Sequence, residues 1–406
     1  MVVMEGYKKT VLGLIPEDWN VKEFVDVMDG FSSGQTPYRA ITDYYKGDIP
    51  WITSGELNYN VITDTIEKIT IEGVKAAHLK TLPIGTFLFA ITGLEAAGTR
   101  GSCGITGIKA TTNQSCMALY PKKEKLITPY LYHYYVRYGD ELAFKYCQGT
   151  KQQSYTGAIA KKLPIIVPPT IAEQTAISNA LSDADALIMG LEKFIAKKHN
   201  IKQGVMQQLL QPKEGWEVKN LGELGECIIG LTYKPDNVKE IGTLVLRSSN
   251  VQGNILKYDN NVFVDCEISE KLTNKENDIL ICVRNGSRNL IGKCALIKGE
   301  AIGETFGAFM SVFRSPFNEF VFILFQSDII KKQIDEHLGA TINQITNKSL
   351  NSFEIPFPPK EEQTRISTIL SDMDSELMIL EHKLEKYKKI KLGMMQELLM
   401  GKTRLV

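Results

Sequence analysis

The fold of this chain follows from a stretch that occurs twice: EQTAISNALSD at positions 173–183 returns as EQTRISTILSD at positions 362–372. The likeness continues through 210 and 399 at a constant offset of 189 residues, with about half of the positions identical. An internal repeat has to be recognised before any other fold argument, because it means that one structural unit is built twice.

Both copies have the apolar spacing of one long amphipathic helix, roughly 55 Å in length. Apolar residues recur at intervals of four and three, a heptad seam that buries a narrow stripe and needs a partner helix. The seam residues are Ile177, Leu181, Ala184, Ile188, Leu191 and Ile195 in the first copy and Ile366, Leu370, Met373, Leu377, Leu380 and Leu384 in the second. Two unrelated helices would not share this phase, so we predict that the two pack as an antiparallel coiled coil.

The remaining sequence forms two blocks that repeat the same order of parts. Each opens on a tryptophan phrase, DWNVK at 18–22 or GWEVK at 215–219, and then reaches a turn that contains glycine and threonine. The sequence therefore predicts an α+β fold in which two similar globular α/β domains are separated by two long helices, with pseudo-two-fold internal symmetry. The predicted segments are a first domain over 1–163, a first helical segment over 164–212, a second domain over 213–357 and a second helical segment over 358–406.

Composition sets limits on the function. The 406 residues carry 47 basic and 47 acidic side chains, so the chain is not a uniformly basic nucleic-acid binder, and a basic face would have to be clustered. No apolar run approaches the roughly 20 residues that span a bilayer, so no membrane association is expected. Seven cysteines without a Cys-x-x-Cys pair indicate reduced thiols in a cytoplasmic protein.

The search for catalytic motifs gives no candidate. The run from Gly286 to Lys293 has five residues between its glycines, and Cys294 stands where a phosphate-binding loop needs Ser or Thr. The five histidines are scattered and have no metal-ligand spacing. We therefore predict no catalytic residue, no metal site and no cofactor in this chain.

Polar side chains beside glycines form the remaining candidate site. Arg can make two hydrogen bonds to guanine, and Asn or Gln can make two to adenine. The candidates are Arg39, Arg100, Lys151, Gln152, Gln153, Ser154, Thr232, Tyr233, Lys234, Arg247, Arg284, Asn285, Arg288, Asn343 and Gln344. An ordinary polar loop explains any single one of them equally well, but their matched positions in the two blocks favour DNA binding.

The duplicated sequence pattern resembles the specificity subunit of type I restriction–modification systems over nearly the whole chain. The resemblance rests on four phrases in duplicated order: SGQTP at 33–37, GDIPWI at 47–52, LRSSN at 246–250, and Pro-Pro followed by Glu-Gln-Thr at the head of each long helix. Each phrase alone is weakly specific, whereas together they are strong.

The resemblance implies two target-recognition domains that each read one half of a split site in double-stranded DNA. The long helices are then expected to act as a ruler across the spacer and to dock two modification subunits. The resemblance further implies that those partners bind S-adenosylmethionine and methylate adenine, and that restriction motor subunits join through the complex, so this chain is expected to be non-catalytic. The alternative is a non-catalytic coiled-coil scaffold with two protein- or ligand-binding domains and no DNA role.

Overall fold

The computed structural model describes residues 5–95, 99–149, 153–338 and 343–405. Its internal packing divides the chain into a first unit, residues 1–192 with 382–406, and a second unit, residues 193–381. Both predicted long helices are present, and each helix has one part in the first unit and one part in the second. The first long helix is Ile171–Leu209 and the second long helix is Lys360–Leu398.

A five-stranded sheet forms the centre of the first unit. In spatial order its strands are Met28–Ser33, Cys116–Pro121, Phe87–Ala90, Cys103–Thr106 and Asn60–Ile62. All neighbours are antiparallel except the last pair. The smaller sheets are Thr111–Thr112 with Ile49–Ile52 and Lys68–Ile69, Tyr7–Thr10 with Gly13–Pro16, and Asn20–Glu23 with Pro164–Val167. The domain helices are Phe24–Val27, Ile71–Ala76, Thr128–Tyr146 and Gly157–Lys161.

The second unit is built on a four-stranded antiparallel sheet. In spatial order its strands are Glu226–Ile229, Met310–Arg314, Ile279–Cys282 and Cys294–Leu296. The other sheets are Val238–Lys239, Phe263–Val264, Thr243–Leu246 and Thr305–Phe306 in that order, Glu217–Asn220 with Glu354–Phe357, and Val251–Gln252 with Ile255–Leu256. The domain helices are Leu221–Leu224, Asn318–Gln326, Asp328–His337 and Asn347–Asn351.

The two units therefore repeat one topology. In each, the first strand after the tryptophan phrase pairs with the last strand before a long helix. Each also contains a short parallel pair, Thr111–Thr112 on Ile49–Ile52 and Thr305–Phe306 on Thr243–Leu246. The mixed α+β class and the duplicated domain that the sequence predicts are confirmed.

The ends of both long helices belong to the domain cores. In the first unit, Ile177 and Leu181 from the first long helix and Met395 from the second are buried in the core with Trp19 and the sheet residues. In the second unit, Met206, Leu210, Ile366 and Leu370 take part in the core in the same way. Each domain therefore buries apolar surface that both helices supply, and burial of this kind is the main favourable term in folding.

Ion pairs show the direction of the two helices within each unit. In the first unit Lys391 contacts Asp185, and Lys388 lies 2.9 Å from Glu192. The partner number falls along one helix as it rises along the other, so the helices run antiparallel there.

The second unit has the same arrangement. Lys202 lies 2.5 Å from Asp374, and Lys198 lies 2.7 Å from Glu376. Lys202 is the repeat equivalent of Lys391, and Asp374 that of Asp185, so equivalent residues make equivalent bonds.

None of the twelve predicted seam residues is exposed. Ile177, Leu181, Ile366 and Leu370 pack in the domain cores. At these four positions the stripe contacts domain residues, whereas the sequence pattern led us to expect a seam directed at the partner helix. The coiled-coil geometry itself stays a prediction.

One helix differs from its sequence-based prediction. The apolar segment that follows Pro316 in the sequence predicts a single helix reaching His337, but this segment forms two helices that meet at Ser327. The Ser327 hydroxyl donates to the Leu324 carbonyl oxygen at 2.7 Å and accepts from the Ile329 N–H at 3.3 Å. A serine that bonds to nearby backbone groups in this way ends one helix and caps the next.

All seven cysteines are free thiols. Across the part of the chain that the structure describes, no helix is long and apolar enough to cross a membrane.

In each unit, a cationic side chain bonds to a glutamate of a long helix and lies over the ring of the tryptophan phrase. In the first unit, the Arg404 guanidinium bonds to Glu173 and Asp18 and lies over the Trp19 ring, 5.8 Å from its centroid. The Glu173 side chain is only 1% exposed, so its charge depends on this partner. In the second unit, Lys213 bonds to Glu362 at 2.7 Å and lies over Trp216.

We expect Arg404→Ala to lower the free energy of unfolding of the first unit by about 1–3 kcal/mol, because a buried carboxylate loses its charged partner. Urea denaturation of the full chain measures the change. The control is Lys402→Ala, whose half-exposed ammonium lies 3.5 Å from Glu397 and should contribute less than about 1 kcal/mol. Adding Glu173→Gln to Arg404→Ala should recover part of the loss, and equal effects of the two single variants would contradict this role.

Candidate nucleic-acid interface

Loops of the second unit meet around the end of its parallel strand pair, and we call this surface the second face. It is made by residues 230–234, 247–250, 284–288, 307–309 and 343–344. Backbone hydrogen bonds connect the loops: Leu231 N–H donates to Phe306, Gly307 N–H to Leu246, and Ala308 N–H to Leu231. Strands that are far apart in the sequence therefore hold these loops together.

The backbone of Arg284 is held by hydrogen bonds, whereas its guanidinium makes no hydrogen bond or ion pair with the residues that the structure describes. Its N–H donates to the Phe309 carbonyl oxygen at 3.1 Å, and the residue forms an antiparallel bridge with Gln344. Its guanidinium lies over the Phe309 ring, 5.1 Å from the centroid. The exposed arginine thus rests on an aromatic platform.

The two asparagines of the second face connect neighbouring loops. The Asn285 amide donates to the Ser248 hydroxyl at 3.1 Å, and the Asn343 amide donates to the Gly286 carbonyl oxygen at 3.0 Å. The Lys293 ammonium also approaches the Ser248 carbonyl oxygen, at 3.5 Å. These amide donors support the loops, so they are less available to bases than the sequence suggests.

Arg247 lies beside this network. Its Nη2 donates to the Asn260 carbonyl oxygen at 2.9 Å, while its Nε–H is buried and makes no hydrogen bond within the described residues. Its backbone N–H is capped by the Asn250 side chain at 3.0 Å. One nitrogen of the Arg247 guanidinium is therefore already used in a hydrogen bond within the chain.

The remaining predicted residues of the second unit fall into two groups. Thr232 and Lys234 are exposed on the turn that follows Leu231, with Tyr233 half-buried between them. Arg288 belongs to the same loop as Arg284, but its guanidinium donates to the Asp335 carbonyl oxygen at 3.0 Å and lies 3.8 Å from that carboxylate. Arg288 therefore contacts the neighbouring helix.

Equivalent loops of the first unit make a first face, residues 34–36, 53–56, 91–95, 113–115 and 153–154. The Gly34 N–H donates to Asn113 at 3.1 Å, and the Thr36 hydroxyl donates to the Gln114 side chain at 2.6 Å. Ser154 forms a bridge with Thr92, and Leu94 N–H donates to the Gln153 carbonyl oxygen. Gln153 and Ser154 are thus part of this face, whereas Lys151 and Gln152 lie outside the described residues.

Arg39 is next to the first face, but its charge is neutralised. It makes a bidentate pair with Glu67, at 2.5 and 2.8 Å, which lowers the pKa of the Glu67 carboxyl group. Its guanidinium also lies 4.4 Å from the Tyr45 ring centroid and 5.1 Å from that of Trp51. The Trp51 indole N–H donates to the Gln35 carbonyl oxygen, which connects this cluster to the turn.

Arg100 contacts a helix of the first domain. Its Nε donates to Asp140 at 2.8 Å, and its guanidinium lies over the Phe144 ring. Both partners belong to the helix Thr128–Tyr146. The Arg100 guanidinium is therefore used in contacts with this helix.

The strand registers define equivalent positions in the two faces. Ala90 pairs with Cys116 as Cys282 pairs with Met310, so Thr92 occupies the position of Arg284. Ser115 accordingly occupies the position of Phe309, because its carbonyl oxygen accepts from Ile91 as that of Phe309 accepts from Val283. The two faces thus share one backbone plan and differ in side chains.

Sequence reasoning missed Phe309 and Ser248 in the second face and Gln114 in the first. Phe309 is an apolar residue directly before a buried strand, so its sequence context does not mark it as part of a polar face. The available signal was the alignment of Gly307-Ala308-Phe309 with Asn113-Gln114-Ser115, which becomes visible once the repeat is extended into the strands. Over the described ranges, the structure has no group of three or more His, Cys, Asp or Glu side chains that could hold a metal ion.

The duplicated domains and their paired polar faces define a class of protein with two recognition modules and two long helices. The family model for the Type I restriction modification DNA specificity domain matches residues 16–203 and again 213–391. The two matches cover most of the chain. The chain therefore belongs to this family.

Individual relatives agree with this assignment. A Methanocaldococcus jannaschii protein, provisionally described as the type I restriction enzyme MjaX specificity subunit, is 30% identical over 98% of this chain and 97% of its own. The EcoKI specificity subunit of Escherichia coli is 29% identical over 40% of this chain and 38% of its own. The solved S subunit of a type I system from M. genitalium has the same fold, with a TM-score of 0.59 and 15% identity over 94% of this chain and 96% of that one.

Gly230 provides a test of the loop packing in the second face. A Cβ there would lie 2.2 Å from the Gly307 carbonyl oxygen, far inside van der Waals contact. We expect Gly230→Ala to cost about 1–3 kcal/mol in the unfolding of the second unit, because the backbone must move. The matched control is Gly157→Ala, where a Cβ meets open space and the change should stay within about 0.5 kcal/mol. Denaturant unfolding gives both values, and equal stabilities would disprove the close approach.

Proposed function

We propose that this chain gives a type I restriction–modification complex its DNA sequence specificity. The first unit would read one half of a split target, and the second unit the other. The observation that carries the proposal is the pair of faces, in which equivalent loops present different side chains. Two readers with one backbone plan and different side chains suit a target with two different half-sites.

The polar groups on the faces suit base edges in the major groove. The second face offers Arg284, Gln344 and Lys234. The first face offers Gln153 and Gln114, whose side-chain oxygens also accept from Cys147 and Thr36. Arginine matches guanine, and glutamine matches adenine, each with two hydrogen bonds. This chemistry supports direct reading of sequence by both units.

The balance of charges favours DNA binding as part of a complex with other subunits. With 47 basic and 47 acidic side chains, the chain brings no net attraction to DNA, whose phosphates normally supply much of the binding energy. Partner subunits that close around the duplex would provide the missing basic surface. We propose two modification subunits in this role, with restriction motor subunits joining through them, in the cytoplasm.

The long helices are proposed to dock the modification subunits and to set the spacer between the half-sites. Methylation and ATP-dependent cleavage would then take place in the partners, and this chain would be non-catalytic. The antiparallel ion pairs in each unit support the ruler, because they hold the two helices in a defined register.

The test is binding of the full chain, with its modification subunits, to a library of duplexes in which two half-sites are randomised. We expect enrichment of one split sequence and a steep fall in affinity as salt rises. Replacing residues 25–160 with another domain of this kind should change one half-site and leave the other unchanged. Binding that ignores sequence would instead support the scaffold alternative, and a change in both half-sites would contradict separate readers.

A second prediction concerns the spacer. Deleting residues 187–193 and their equivalents 376–382 shortens both helices by about 10 Å, which corresponds to about three base pairs. The preferred spacer should therefore become about three base pairs shorter in the same selection. A spacer of the original length, with half-sites still recognised, would rule out the ruler.

A further inference from the structure

We propose that Arg284, supported by the ring of Phe309, reads a guanine in the half-site recognised by the second unit. This inference rests on the proposed function, and it assigns one base to one side chain. Arg284 is the specificity-determining residue, and Phe309 is the positioning residue beneath it.

The first support is that the Arg284 guanidinium has no hydrogen-bond or ion-pair partner among the described residues. All nine arginines lie in the described residues, and seven of them, Arg288 included, have a carboxylate within salt-bridge distance. Arg247 donates to the Asn260 carbonyl oxygen. Within the described ranges, the Arg284 guanidinium alone makes no hydrogen bond and no ion pair. A cation that does not serve the fold is available for a ligand.

The second support is the position of Phe309. Its side chain is 56% exposed, although it directly precedes the buried strand Met310–Arg314. An exposed ring of this size does not contribute to the core, but its face lies under the Arg284 guanidinium. Contact with the ring reduces the conformational freedom that arginine otherwise loses on binding.

The third support is the rigid base from which the side chain extends. Arg284 N–H and Val283 N–H both donate to the Phe309 carbonyl oxygen, at 3.1 and 3.0 Å. On the other side Arg284 is bridged to Gln344, and residues directly opposite in an antiparallel bridge extend their side chains from the same side. Both side chains therefore leave a fixed backbone towards the same region of solvent.

Guanine is the base that fits this group. A planar guanidinium donates two parallel hydrogen bonds to O6 and N7 of guanine, and this is the commonest specific contact between proteins and the major groove. Adenine offers one acceptor and one donor at the same edge, so a group that only donates is poorly matched there. The side chain at this position therefore selects guanine.

The first unit has the same backbone arrangement without an arginine and a phenylalanine at these two positions. Thr92 and Ser115 stand at the positions of Arg284 and Phe309, and Ser154 stands at that of Gln344. These short hydroxyl side chains have neither the reach nor the two parallel donors of a guanidinium. The guanine contact is thus specific to the second half-site.

The experiment is the same selection on a randomised duplex library, with the full chain and its modification subunits. Arg284→Ala should reduce the preference for guanine at one position of one half-site by between about 5-fold and 150-fold and leave every other position unchanged. Arg284→Lys should lose most of that preference and keep the salt dependence, because an ammonium keeps the charge without the fork.

Phe309 is tested through rescue. Phe309→Ser, which introduces the residue of the first unit, should weaken the same guanine preference, and Phe309→Tyr should restore it because a ring is again present. The control is Lys271→Ala, which removes a charge from the same unit where the ammonium is paired with Glu226. Its base preferences should match those of the wild-type chain.

Thermal unfolding of each variant distinguishes a lost contact from a lost fold, and Arg284→Ala should melt like the wild type. An unchanged base profile for a folded Arg284→Ala, with the wild type still selective, would overturn this inference and leave the proposed function standing. Equal weakening on all sequences would also overturn it, because that is the result expected of a phosphate contact. A wild-type complex without any sequence preference would overturn both proposals.

Discussion

The pairing of a lysine from one long helix with an aspartate from the other is the interaction on which the arrangement of each unit depends. Lys202 and Lys391 are only 14% and 18% exposed, so their ammonium groups need a charged partner close by. Because the helices are copies, the pairing selects their direction. In a parallel arrangement the equivalent residues would lie side by side, with Asp185 facing Asp374 and lysine facing lysine. Antiparallel packing instead turns two like-charge contacts into two attractive ones.

The same helices also complete the cores of both units. The first core contains Ile177 and Leu181 from one helix and Met395 and Leu398 from the other, and the second core is completed in the same way. A domain therefore cannot fold to its full extent without both helices. A partner that binds the exposed face of a long helix therefore binds an element whose buried face stabilises the domain cores.

The local parts of this structure could be predicted from the sequence. The repeat and its heptad phase depend on neighbours along the chain, and the two repeat copies, 173–210 and 362–399, lie within two residues of the bounds of the observed helices. The break at Ser327 was missed because a serine in an apolar run has no sequence signal as strong as proline. Its effect comes from hydrogen bonds to Leu324 and Ile329.

The candidate site was harder to predict because it depends on contacts between distant residues. Arg39 and Arg288 look like Arg284 in the sequence, but Glu67 and Asp335 neutralise the first two in the folded chain. Phe309 meets Arg284 through the pairing of two strands. Sequence composition can therefore name the residue types of a recognition face, whereas the fold decides which of them remain available.

A chain without net charge can be specific for DNA even though the fold leaves few of its arginines uncommitted. Most arginines of the described residues are used in ion pairs within a single unit, and such pairs add nothing to the attraction of phosphates. A few uncommitted groups can still discriminate between bases, since one bidentate contact distinguishes a base pair by about 1–3 kcal/mol. Affinity and specificity would then have separate sources. The phosphate contacts would come mainly from partner subunits, and the choice of sequence from the few side chains that the fold leaves free.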